Sequence, residues 1–369
     1  MRIVLIVSNL HNAGITGQQK IGLGLAERLG REGHSVLVLT NSTQPTEVAH
    51  SIRQQNVDFH VLPGGAHIWS RTALAYISAG TIRMVSRFKP DLVHTHGSYA
   101  SWLGAVISRM LRKPLVQTIY DADLLGGTFG WLKRLSLDRG DRVIFTSEYL
   151  RERAGFTENA GRAIVQPYGI DEVWFNLPAC RGNSERRKER TVLFWGDAAA
   201  GRGFDVLMDA VPIVCSTAPD VKFQFALRYA EEQYSARLRS LVSDFPVEIV
   251  ADRPVDNIPE LITESDIIVL PYVKTTIQPP LTLLESLASG RPVVTTAVEG
   301  NAELVQTEDR IAEVIPPGDA KALADAVVGL VEDPGKGAEM AMLAHTAMKR
   351  LCHWDIALRR ITDAYHQCV

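Results

Sequence analysis

The sequence predicts an α/β protein made of two doubly wound, parallel-sheet domains. Three observations carry this reading. Short apolar runs alternate with amphipathic helical patterns along nearly the whole chain. Many of the runs are apolar at consecutive positions, and the periodicity fails at one place, between residues 171 and 191. Strand–helix alternation repeated this often builds parallel sheets. Strands covered by helices on both faces lose the alternation of a half-exposed sheet. The predicted strands are 2–7, 35–39, 92–94, 115–118 and 142–145, then 191–195, 222–227, 247–250, 267–270 and 293–296. Helical patterns such as 23–29, 77–88 and 320–331 separate them.

The boundary follows from the failed periodicity. Residues 181–190, Arg-Gly-Asn-Ser-Glu-Arg-Arg-Lys-Glu-Arg, have no apolar face and read as a solvated linker. Acids interrupt the cations and no aromatics interleave with them, so no nucleic-acid partner is expected. A length of 369 residues suits two domains. A chain 46% hydrophobic and 22% charged is neither disordered nor a disulfide scaffold. Residues 1–175 carry 19 Lys and Arg against 14 Asp and Glu, and residues 176–369 carry 20 against 28. A basic half joined to an acidic half suggests two bodies with different partners. Cys180, Cys215, Cys352 and Cys368 form no CxxC pair, so no metal site is expected and a cytoplasmic location is. The apolar run at 3–7 is too short for a signal-peptide core or a membrane span and reads as a buried first strand.

In open α/β sheets ligands bind beyond the carboxyl ends of the strands. After the first strand, residues 8–17 (Ser-Asn-Leu-His-Asn-Ala-Gly-Ile-Thr-Gly) precede a helix near Gln18. His11 is a candidate acceptor contact, and Gly17 lets backbone approach a donor. A plain turn is the alternative. Asp91-Leu-Val-His-Thr-His96 places His94 toward the core and His96 at a strand tip. Tyr120, Asp121 and Asp123 end another strand, where they can hydrogen-bond a polyol or cap a helix. In the second half, Gly196 lies in the segment Trp195–Gly203, where Arg202 stands between two glycines before a helix near Phe204. Its planar fork suits a phosphate, though a loop arginine can also be plain surface. Pro279-Pro280 then suits the start of a helix whose Leu281 and Thr282 N–H groups face an anion. Glu285, one turn in, either accepts two hydrogen bonds from a ribose diol or is a surface helix residue.

The order and spacing of several segments resemble the retaining glycosyltransferases of family four. The strongest is Leu281-Thr-Leu-Leu-Glu-Ser-Leu-Ala-Ser-Gly-Arg-Pro-Val-Val, followed by Glu299-Gly-Asn-Ala-Glu303. Arg202-Gly203, Gly33-His-Ser-Val36, Thr146-Ser-Glu-Tyr-Leu150, Tyr168-Gly-Ile-Asp171 and Trp354-Asp-Ile-Ala357 with Tyr365 add to it. The resemblance implies the GT-B fold, two Rossmann-like domains facing a central cleft. An acceptor domain would span 1–172, completed by a helix at about 354–369, and a donor domain 173–353. It implies transfer of a sugar from a nucleotide-sugar with retention, without metal or other cofactor, to a small-molecule, glycan or lipid-linked acceptor. Donor contacts would be Gly17, Gly196, Arg202, Gln278, Leu281, Thr282 and Glu285. Acceptor contacts would be His11, His96, Tyr120 and Asp121, with Arg202, His96 and Tyr120 catalytic.

Three positions depart from the family pattern. Ile277 stands eight residues before Glu285 where the family has a glutamate, leaving Gln278 as the nearest polar substitute. Asp197 replaces an arginine after Gly196, and Tyr120 replaces a histidine. Readings as a catalytically silent sugar-binding or partner subunit, or as a GT-B sugar-nucleotide epimerase, therefore stand beside the transferase. Segments 82–89, 107–113 and 131–135 interleave cations with large apolar residues, which suits peripheral contact with the inner membrane face as well as buried amphipathic helices.

Overall fold

A computed structural model describes all residues except 8–16, 41–55, 63–78, 122–125, 127–129, 157–160, 179–188 and 251–256. His11, Asp123 and most of the charged 181–190 stretch therefore lie outside the described residues. The chain divides into two compact units, Met1–Gly169 with Trp354–Val369, and Ile170–His353.

The first unit holds strands β1 (Arg2–Val7), β2 (Ser35–Thr40), β3 (Val57–Val61), β4 (Leu92–His96), β5 (Leu115–Ile119), β6 (Arg142–Phe145) and β7 (Ala163–Val165). Its helices are α1 (Gly17–Arg31), α2 (Ala79–Phe88), α3 (Ser98–Leu111), α4 (Gly130–Leu137) and α5 (Glu148–Arg153). The sheet is parallel, in the order β3-β2-β1-β4-β5-β6-β7. Along β1, Ile3, Leu5 and Val7 enter one hydrophobic cluster while Val4 and Ile6 enter another. Both faces are covered, which is why that strand is apolar at every consecutive position.

The second unit begins with α6 (Glu172–Phe175) and β8 (Arg190–Ala198), followed by a 3-10 turn (Ala200–Arg202) and α7 (Phe204–Thr217). Then come β9 (Val221–Ala230), α8 (Ser235–Asp244), β10 (Val247–Val250), α9 (Ile258–Glu264), β11 (Ile267–Leu270) and α10 (Leu281–Ala288). The elements β12 (Val293–Thr296), α11 (Asn301–Val305), β13 (Glu313–Ile315), α12 (Ala320–Glu332) and α13 (Pro334–Cys352) complete it. Its parallel sheet runs β10-β9-β8-β11-β12-β13. Both sheets thus share the doubly wound order, which reverses at β1/β4 and at β8/β11, where such sheets hold ligands.

The chain then returns to the first unit as α14 (Trp354–His366). Trp354, Ala357, Leu358, Ile361 and Tyr365 enter the same cluster as Ile3 and Leu5. Trp354 lies so close to Gly24 and Gly169 that a Cβ on either would fall 2.9 or 2.3 Å from its ring. The Arg28 guanidinium stacks over that ring at 4.3 Å.

Candidate functional site

At the β8/β11 switch point of the second unit, the turn carrying Arg202 is fixed by backbone packing. Gly203 has φ of 70°, and a Cβ there would fall 1.7 Å from the Pro271 carbonyl oxygen. Only glycine brings the two strand-end loops this close. The N–H groups of Val273 and Lys274 both donate to the Gly201 carbonyl at 3.0 Å, which ties the turn to the segment after β11. Gly196 has φ of 134°, and a Cβ there would meet open space.

Held this way, Arg202 donates from Nη1 to Tyr272 Oη at 3.3 Å and to Thr282 Oγ1 at 3.2 Å. Tyr272 Oη and Thr282 Oγ1 are themselves 2.5 Å apart. Burial raises the Tyr272 pKa, so the phenol is a neutral partner for the cation. Arg202 is half-buried. Its charge lies against the first turn of α10, whose Leu281 and Thr282 N–H groups precede any intrahelical acceptor. A guanidinium, two N–H groups and a helix dipole together favour an anion. Glu285 lies one turn further in and is buried, against the surface alternative. Beside it, Trp195 Nε1 donates to Ser286 Oγ at 2.9 Å, and the Trp195 ring stacks on Trp174.

Two of the positions that bear on the family pattern are engaged by neighbours in this unit. Asp197, in place of the arginine, is forked by Arg228 on β9 through Nε at 2.9 Å and Nη2 at 2.6 Å. Sequence reasoning missed Arg228; the two meet through the β8–β9 register, which pairs Asp197 with Tyr229. Gln278 is not an open substitute for a sugar-binding carboxylate. It is fully buried, its amide nitrogen donates to Thr275 Oγ1 and Glu299 Oε2, and its oxygen accepts from the Gly300 N–H at 2.8 Å.

In the first unit, β4 and β5 place the predicted residues together. Gly97 follows β4 with φ of 84° and precedes α3 as its N-cap. A Cβ on Gly97 would fall 3.1 Å from Tyr120 Oη and 3.2 Å from Asp121 Oδ2, so phenol and carboxylate flank the start of that helix. Gly17 opens α1. His94 is a core residue, bonded through Nδ1 to Tyr365 Oη at 2.6 Å and through Nε2 to Thr118 Oγ1 at 2.8 Å. His96 does not project from the strand tip. It is buried, and neither ring nitrogen has a hydrogen-bond partner. Burial lowers its pKa to about 3 and raises that of Tyr120 well above the usual phenol value. The imidazole is therefore unprotonated and the phenol protonated near neutral pH.

Of the basic apolar segments, 82–89 packs inward, with Val85 in the core and Ile82, Met84 and Phe88 against it. In α4, by contrast, Trp131 is 64% and Leu135 48% exposed. No helix among the described residues is long and apolar enough to cross a membrane.

Two family models match the chain: "Glycosyl transferase 4-like domain" over residues 16–169 and "Glycosyl transferases group 1" over residues 189–333. Similar proteins include the D-inositol 3-phosphate glycosyltransferase of Arthrobacter sp. (strain FB24), 24% identical over 94% of this chain and 88% of that one. The phosphatidyl-myo-inositol mannosyltransferase of Mycolicibacterium smegmatis is 23% identical over 95% of this chain and 89% of its own. Anabaena Alr3699/HepE, solved in complex with UDP and glucose, superposes with a TM-score of 0.76 at 19% identity, covering 99% of both chains. Sucrose-phosphate synthase from Thermosynechococcus elongatus gives 0.73 at 19%, covering 100% of this chain and 98% of that one. These two likenesses show a shared fold.

Proposed function

Because this chain belongs to the group 1, family-four glycosyltransferases of GT-B fold, we propose that it moves a sugar from a nucleotide-sugar to an acceptor hydroxyl, with retention and without metal. The observation that carries the reading is Arg202 bonded to Thr282 at the first turn of α10, with Glu285 buried one turn in. The bond from the anomeric carbon to the leaving phosphate oxygen breaks, and negative charge grows on that phosphate. Arg202 and the Leu281 and Thr282 N–H groups stabilise it, a large electrostatic contribution in such reactions. Glu285 accepts from the ribose hydroxyls. The acceptor oxygen bonds to the anomeric carbon and its proton leaves with the phosphate.

In the first unit, Tyr120 and Asp121 beside Gly97 offer neutral and anionic hydrogen-bonding groups suited to a polyol acceptor. Inositol and its phosphates are the first acceptors to test, since two relatives carry those substrates in their names. Peripheral contact with a bilayer, through Trp131 and Leu135, fits a lipid-linked acceptor. Ile277 favours a second reading, a chain that binds donor without transferring it.

Thermal-shift measurements with UDP, GDP, ADP and dTDP and their sugar conjugates test the donor site, because ligands that bind only the folded state raise its stability. One responding nucleotide with turnover supports the transferase. A response without turnover supports the silent subunit, and no response refutes the donor site.

A further inference from the structure

The segment joining β11 to α10 is tied at both ends to other strand-end loops. Its first part, Tyr272 to Lys274, holds the Arg202 turn. The next part is held by Glu299, from the loop after β12. Glu299 Oε2 accepts from the Thr275 N–H at 3.1 Å, the Thr275 hydroxyl at 2.7 Å and Gln278 Nε2 at 2.6 Å. Gln278 closes the circuit by accepting from the Gly300 N–H.

Two features go beyond a loop brace. Glu299 adopts φ of 50°, the left-handed conformation that Cβ contacts disfavour and glycine takes without penalty. A residue kept there against that preference points to a use for its side chain. Moreover, all three donors converge on one oxygen. Oε1 has no hydrogen-bond partner among the described residues, and Glu299 is half-buried rather than enclosed. A carboxylate with one oxygen anchored and the other open is a preorganised acceptor for ligand hydroxyls. Ile277, between the two anchoring residues, has nothing to offer such a hydroxyl.

We propose that Glu299 reads the transferred sugar, Oε1 accepting from hydroxyls of the hexosyl group while Thr275 and Gln278 position the carboxylate. This rests on the donor-site reading above. The sugar contact comes from the β12–α11 loop, and Glu299 sets specificity without touching the nucleotide.

Glu299→Gly tests it, since glycine suits the backbone and removes only the carboxylate. The probes are the nucleoside diphosphate that shifts the wild-type melting temperature and its glucose and mannose conjugates. The expected result is a 10- to 100-fold lower kcat/KM for the conjugate, unchanged affinity for the diphosphate alone, and a Tm lower by only a few degrees, because relief of the left-handed backbone offsets part of the three lost hydrogen bonds. Adding Ile277→Glu to Glu299→Gly returns part of the lost rate. Wild-type kinetics in Glu299→Gly overturn the inference, as does equal loss of affinity for diphosphate and conjugate, which marks a loop brace. In either case nucleotide binding by the wild type leaves the donor-site reading standing. A wild-type chain that binds no nucleoside diphosphate overturns both.

Discussion

Replacing Arg202 by alanine separates its contribution to folding from its contribution to chemistry. In the folded protein its two side-chain hydrogen bonds are long, at 3.3 and 3.2 Å, and its guanidinium lies 5.4 Å from the Tyr272 ring centre. Removing them orphans nothing, because Tyr272 Oη and Thr282 Oγ1 keep each other as partners. Bonds of this kind contribute about 0.5–1.5 kcal/mol each. A cation over a ring at a half-open site adds about 0.5–1. Since Arg202 is half-buried and partly solvated, the net stability loss is expected at about 1 kcal/mol. That corresponds to a Tm lower by about 2–4 °C for a unit of this size. The transition state is different, because there the cation faces phosphate charge in place of two neutral hydroxyls. Deleting one preorganised donor to such charge costs roughly 10²–10³ in rate. Steady-state transfer from the responding nucleotide-sugar, beside a melting curve on the same sample, measures both. Arg202→Lys should fall between wild type and alanine, since it keeps charge but not the fork. A Tm drop of ten degrees or more with turnover intact would show Arg202 to be a structural residue and refute the phosphate assignment.

The other expectations are independent of that one. Glu285→Gln should weaken nucleoside diphosphate binding by about 1.5–3 kcal/mol, a lost charge-assisted bond, and the 2′-deoxy analogue by less. Calorimetry showing equal losses sinks the ribose assignment. Acid should destabilise the first unit. An unfolded imidazole takes up its proton near 6.5, whereas folded His96 does so only at about 3. Between those values the unfolded state binds more protons, so stability falls as pH falls, by about 1.4 kcal/mol per pH unit for each such histidine. His94, also lowered, acts in the same direction. Urea melts at pH 6 and pH 5 check this: His96→Leu should reduce the loss, and an unchanged pH dependence argues against a buried neutral ring. Co-sedimentation with liposomes should need both Trp131 and Leu135, and binding by Trp131→Ser with Leu135→Ser equal to wild type removes α4 as the contact.

What the sequence disclosed and what it hid follow from the same physics. The central strands were readable because β1, β4, β8 and β11 are covered on both faces. The three strands that escaped, β3, β7 and β13, all lie at sheet edges. There Val-Asp-Phe-His-Val alternates, and the other two are only three residues long. The helix starts at Gly17, Phe204 and Leu281 were legible from glycine and proline placement. The Arg202–Thr282 contact spans 80 residues but follows from adjacent strand ends, so motif and topology agree on it. Side-chain destinations were not legible. Nothing local shows that Asp197 meets Arg228, that Gln278 is consumed by its neighbours, or that Glu299 turns back toward Thr275. His96 misled because a residue ending a strand can still be roofed over.

The return of α14 to the first unit bears on the order in which the protein is built. The ribosome makes Met1–Gly169, then all of Ile170–His353, and only afterwards the helix whose Trp354, Leu358 and Ile361 close the first core. Domains of a growing chain generally fold in the order they emerge. Here the earlier unit must wait, with the apolar face around Ile3, Leu25 and Gly169 uncovered, while the later, uninterrupted unit has everything it needs. The inserted unit is thus the first able to finish, and the nascent first unit is the stretch most in need of chaperone cover.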